Sequence, residues 1–135
     1  MQFLIRIFIF LIIGNFLFPD SIKYNNPNNH GVIGLINTPT ARFYEESSSA
    51  FTMYRGDPDR KITLSMMPYD WFEASVFYTS IKDRPYISGQ DYKDKGFNAK
   101  FRLKTEGRLP AIAIGFNDLA GTGIYSSEYI VASYG

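Results

Sequence analysis

Beyond residue 48, hydrophobic and polar side chains alternate along the chain in a series of short runs. Successive side chains of an extended strand point to opposite faces, so a period of two predicts β-strands with two chemically different sides. The first run covers Ser49 to Tyr54, with Phe51 and Met53 on one face, and closes at the turn-like Gly56-Asp57-Pro58-Asp59. In the second, Lys61 to Met67, Ile62, Leu64 and Met66 oppose Lys61, Thr63 and Ser65. Pro68 has no N–H to give a ladder and is expected to end that strand. The third, Trp71 to Thr79, sets Phe72, Ala74, Val76 and Tyr78 against Glu73, Ser75, Phe77 and Thr79. The fourth, Gly96 to Leu103, alternates most cleanly, with Phe97, Ala99, Phe101 and Leu103 facing away from Asn98, Lys100 and Arg102. The fifth, Ala111 to Phe116, places Ile112, Ile114 and Phe116 opposite Ala111, Ala113 and Gly115, and a sixth begins near Glu128. No apolar stripe of helical period follows residue 20, and no gap holds the crossover helix that parallel pairing needs. The expected fold is all-β, an antiparallel meander of about six strands.

The first residues are of another kind. Residues 1–18 carry one positive charge, Arg6, then an almost unbroken apolar run from Ile7 to Ile13 that continues through Gly14, Asn15, Phe16, Leu17 and Phe18. A charged start followed by ~7–15 apolar residues describes a secretory signal, whereas a spanning helix needs about 20. Residues 1–19 are therefore expected to be a signal peptide, here an N-terminal signal helix, with a retained anchor as the alternative. Residues 20–30, rich in Asn, read as a polar linker, and 31–135 as the meander.

Alternation does not say which solvent each face meets. In a membrane barrel the apolar side faces lipid and the polar side lines the lumen; in a soluble sandwich the apolar side is the core. Membrane strands need about 9–11 residues, and most of these runs are shorter. Barrels of the outer-membrane type start at about 8 strands, so the expectation is a piece of a barrel, a subunit, or a smaller soluble sheet.

Composition narrows the chemistry. The chain has 14 basic and 13 acidic residues, a formal charge of +1, which argues against a nucleic-acid partner. It has no Cys, hence no disulfide, thiolate metal site, cysteine nucleophile or lipid-modified cysteine. With 12 Phe and 10 Tyr it is aromatic-rich, as strands often are. Tyr69, Trp71, Phe72, Tyr78 and Tyr125 suit sugar stacking, a membrane interface, or plain strand packing. His30, the single histidine, lies in the Asn-rich stretch and lacks a neighbour to tune it as a base or metal ligand. Gly121-Thr122-Gly123 lacks the third glycine and the strand–helix setting of a dinucleotide loop and reads as a loop needing positive φ. Asp91 and Asp94 read as a charged hairpin turn. Asp118 and Glu128 are a nominal carboxylate pair of the kind glycosidases use, and Ser126 and Ser127 have neither an elbow nor a histidine partner. No catalytic constellation, cofactor site or metal site is expected.

Four segments carry a family resemblance: Gly34–Phe43 (GLINTPTARF), Pro68–Thr79 (PYDWFEASVFYT), Tyr92–Leu103 (YKDKGFNAKFRL) and Leu109–Ser133 (LPAIAIGFNDLAGTGIYSSEYIVAS). In order and wording they resemble the N-terminal region of the YjbH-like exopolysaccharide biosynthesis proteins of Gram-negative outer membranes, over roughly residues 31–133. The resemblance implies a non-catalytic outer-membrane protein acting in production or export of an extracellular polysaccharide. Its expected partners are outer-membrane lipid, the polysaccharide and other envelope secretion proteins. It brings no catalytic residues. Family members are longer, and some are lipoproteins, for which this chain has no Cys to acylate. Glu73, Lys100 and Arg102 are then expected to face a passing glycan. The loop with Thr38, Pro39 and Arg42, stiffened by its X-Pro bond, is expected to plug or brace the wall, with Trp71, Gly121 and Gly123 as structural positions. The alternatives are a periplasmic β-sheet module that binds glycan or scaffolds a secretion system, and a glycan-modifying enzyme using Asp118 and Glu128.

Overall fold

A computed structural model describes residues 26–82, 91–124 and 126–135. The expected signal helix, the first part of the linker and Tyr125 lie outside these residues. The described chain is all-β. A two-residue hairpin, β1 (Gly34–Leu35) with β2 (Thr38–Pro39), comes first. It is followed by β3 (Ser48–Arg55), β4 (Asp59–Tyr69), β5 (Phe72–Ile81), β6 (Tyr92–Lys104), β7 (Ala111–Asn117) and β8 (Ser127–Ser133). These six form one antiparallel sheet in strict chain order, each strand paired with its neighbours in sequence. The sheet is open, with β3 and β8 as its edges, so these residues form a wall and not a closed barrel.

Two expectations need correction. Pro68 does not end β4, which runs on to Tyr69. The β4–β5 register shifts between Met66 and Tyr69, and this bulge carries Pro68 past the ladder without asking it for an N–H. Asp94 is not in a turn: β6 starts at Tyr92, and Asp94 is a buried strand residue.

Residues 26–47 form a strap that lies across one face of the sheet. Asn28 starts it, its side-chain oxygen accepting the N–H groups of His30 (2.9 Å) and Val32 (3.2 Å). The face the strap covers is the polar one. Lys61, Thr63, Ser65, Glu73, Ser75, Thr79, Asp94, Asn98 and Lys100 are all buried. The opposite, apolar face is open: Phe51 is 65% exposed and Met53 69%, while Ser65, Thr79 and Lys100 are 0% exposed. A small apolar core of Ala41, Phe43, Met67, Ala111 and Ala113 fills the space between strap and sheet, with Tyr44 and Val131 against it. The sheet thus buries what a soluble sheet exposes and exposes what it buries.

Candidate functional site

The strap is held by the polar face it covers. Glu73 and Lys100 stand directly opposite each other on β5 and β6. The Lys100 ammonium lies 2.6 Å from Glu73 Oε2, and both side chains are fully buried. Lys100 Nζ also donates to the Arg42 carbonyl at 2.9 Å, while Glu73 Oε1 accepts the N–H of Ile33 at 3.1 Å. One ion pair thus anchors the strap at two points nine residues apart. Phe43, itself buried, packs beside these anchors. Lys100 Nζ lies 4.4 Å from its ring centre and the Arg102 guanidinium 4.5 Å, so both cations meet the ring's negative face. Arg102 turns its other side to Asp70 at 3.7 Å. Burial and the nearby Glu73 carboxylate push the Tyr44 phenol up to about 12.

A second polar group lies towards the other end of the strap. Lys61 Nζ donates to His30 Nδ1 at 3.1 Å and lies 5.1 Å from the centre of the Phe77 ring. Burial, and then the Lys61 charge, hold His30 below its ordinary value, against a smaller opposing pull from Asp59. The Ser65 hydroxyl donates to the Gly31 carbonyl, and the Thr122 hydroxyl to Asp94 Oδ1. Asn98 donates to Ser75 Oγ at 2.9 Å and accepts the Asp118 N–H at 3.0 Å. Buried polar groups are tolerable only when they are paired in this way.

Of the residues singled out from sequence, Glu73 and Lys100 come together as one buried pair. Neither meets solvent, so a glycan would reach them only if the strap left. Arg102 keeps partial exposure at the rim. Thr38 and Pro39 form β2, in the strap's hairpin. Arg42 fastens the end of the strap, with its guanidinium donating to the Gly135 carbonyl at 2.7 Å and pairing with Glu106 at 3.6 Å. Gly123 has φ +74°, the positive value its loop was expected to need. Gly121 is required for another reason, because a Cβ there would run into the Lys95 carbonyl and the Gly96 backbone. Asp118 and Glu128 are not brought together: Asp118 is buried on the strap side, whereas Glu128 is exposed on the apolar side, opposite Phe116. Sequence reasoning missed Phe43, Lys61, Asn28 and the part played by His30. Their only sequence signal was position, Phe43 closing the GLINTPTARF segment.

The apolar face is ordered in rows across the strands. Ser49, Met66, Ala74, Ala99, Phe116 and Glu128 make one; Phe51, Leu64, Val76 and Phe97 the next; Met53, Ile62 and Tyr78 the next. At the other end lie Phe72, Phe101, Ile114 and Ile130. Aromatic rings gather at that end. Tyr69 and Trp71 are stacked with centroids 5.5 Å apart, and Phe72 and Phe101 at 5.0 Å. No described helix is long and apolar enough to cross a membrane, which has no bearing on strands.

Residues 26–134 match the family model described as "Exopolysaccharide biosynthesis protein YbjH". An Escherichia coli (strain K12) protein, "Uncharacterized lipoprotein YjbH", is 37% identical over 113 residues, which is 78% of this chain and 16% of that protein. The chain therefore spans a small part of the length of the relative it matches. No solved structure matches it.

Proposed function

The chain belongs to the YjbH exopolysaccharide biosynthesis family, and from that premise we propose that it is a section of outer-membrane β-barrel wall that serves export of an extracellular polysaccharide. The observation that carries this reading is the inverted sheet: large apolar side chains open on one face, charged and hydroxyl side chains sealed on the other. Water penalises the first arrangement by roughly 25 cal/mol for each Å² of apolar surface left exposed. Lipid removes that penalty, and a barrel wall has apolar residues outward and polar residues inward. The dimensions are compatible. From Phe72 to Ser80 is eight residues along β5, about 27 Å at ~3.4 Å per residue. At a tilt of ~40° that length rises about 21 Å, a little below the ~25 Å apolar band of such barrels. The aromatic group around Trp71 fits the interfacial level of a bilayer.

In this arrangement the strap lies on the lumen side, bracing the wall through Glu73 and Lys100, and the glycan passes on that side with Arg102 at the rim. The role is non-catalytic, which the separation of Asp118 from Glu128 supports. Closure of the barrel is by strands added at the edges β3 and β8, and the chain works with other envelope secretion proteins. The lipoprotein named above agrees with a place in the cell envelope.

A second reading is a periplasmic module whose apolar face is covered by a partner sheet. The short β7 and β8, 7 residues each, favour it over a wall of 9–11-residue strands. Cell fractionation tests the two. The proposed wall segment is expected in the outer-membrane fraction, with gel mobility that changes on boiling, and its deletion should lower surface polysaccharide. Release with the soluble periplasmic contents would contradict it.

A further inference from the structure

Beyond the Tyr78 row the exposed apolar face changes character. The next row across the strands is Arg55, Arg60, Ser80 and Lys93, and Lys95 stands beside Tyr78 one row nearer the apolar band. All four cations belong to the exposed face. Arg55 and Arg60 are direct cross-strand partners, and like charges placed so close destabilise a sheet unless an anion lies between them. Among the described residues none of the four is held in an ion pair. Just beyond the row, ahead of β6, Asp91 accepts from the Ser80 hydroxyl at 3.1 Å. The opposite end of the same face carries the aromatic group and no comparable row of cations.

We propose that this row is a docking strip for the phosphates of anionic lipid headgroups. The choice of a lipid over a free phosphate or an anionic polymer follows from continuity. The strip adjoins Met53, Ile62 and Tyr78 with no break, so a molecule that fills both surfaces has a phosphate at one end and acyl chain at the other. The arginine pair suits a phosphate, whose oxygens accept from two planar guanidinium forks at once. The strip also orients the wall, with its basic end at one membrane surface and the Trp71 end at the other. The inference rests on the reading that the apolar face meets lipid, and its test separates the two.

The detergent-purified full chain is floated with vesicles of phosphatidylcholine, and with an equal mixture of phosphatidylcholine and phosphatidylglycerol. Each cation near an anionic surface is worth on the order of fivefold in partitioning. The mixed vesicles should therefore bind the chain more strongly by several hundredfold at low salt. The combined variant Arg55→Gln, Arg60→Gln, Lys93→Gln and Lys95→Gln should still bind phosphatidylcholine and lose the preference. High salt should erase the preference of the unaltered chain, a readout that does not depend on the variant folding. Inorganic phosphate should release no more of the chain than sodium chloride does at the same ionic strength. Equal binding to both vesicles, or a preference retained by the variant or in high salt, overturns the strip and leaves the lipid-facing wall standing. Release by inorganic phosphate overturns the lipid assignment. Failure to bind either vesicle overturns both.

Discussion

At Lys100 the chain places a full charge where no water reaches and gives it three partners: the Glu73 carboxylate, the Arg42 carbonyl and the Phe43 ring. Removing one member of such a group leaves the other charge buried without compensation, which typically costs about 3–5 kcal/mol. Lys100→Met is expected to destabilise the chain by that order in a denaturant titration. The double variant Lys100→Met with Glu73→Gln should be clearly milder, since the glutamine is neutral and still accepts the Ile33 N–H. Equal losses for the two would show that the pair does not hold the strap. His30 gives the strap a pH response of known sign. Its folded form binds a proton less readily than the unfolded chain, which titrates near 6.5. Stability from this group is therefore complete above that value and declines as pH falls below it. Between about pH 7.5 and 5.5 the unaltered chain should lose stability that His30→Gln keeps. Parallel pH profiles for the two would contradict the placement of His30 against Lys61.

The strands were legible because each keeps its alternation over most of its length. Ser49 to Tyr54 became Ser48–Arg55, and Ala111 to Phe116 became Ala111–Asn117. The misjudged boundaries have local causes. Pro68 reads as a stop only if the register is unbroken, and the bulge beside it is a property of the pairing with β5. Asp94 reads as a turn residue only if its charge must meet water. Its acceptor is instead met by Thr122 from the β7–β8 loop, 28 residues away. That loop offers a contrast at element scale. Gly123→Ala meets open space and only the strain of positive φ, about 1–2 kcal/mol. Gly121→Ala drives a Cβ into backbone of β6, which cannot move aside without disturbing the strand. Thermal unfolding should therefore show Gly121→Ala as the more damaging change; the reverse order would mean that the loop does not pack on β6 as described.

For the whole molecule, periodicity named two faces and could not say which one is covered. The answer lies in residues 26–47, where no run of alternation marks a structural element. Gly31, Ile33 and Arg42 engage side chains of the sheet through their backbone groups, at sequence separations of 34 to 58 residues. Glu73 and Lys100 could be chosen from sequence as polar residues of one sheet face. That they oppose each other and bind the strap depends on the β5–β6 register, which composition does not fix. The family segments were legible as wording, and they cover part of the strap and four of the six strands of the sheet, β5 to β8. In the proposed wall the open apolar face of this sheet meets lipid. Since the chain has no Cys, a single introduced thiol reports on it cleanly. Val76→Cys, in the middle of the exposed face, and Gly107→Cys, in the β6–β7 turn, are to be treated in isolated outer membranes with a charged, membrane-impermeant maleimide. Labelling is expected to be rapid at position 107 and absent at position 76 until detergent dissolves the bilayer. Equal, immediate labelling of both would show that the face is in water and not in lipid.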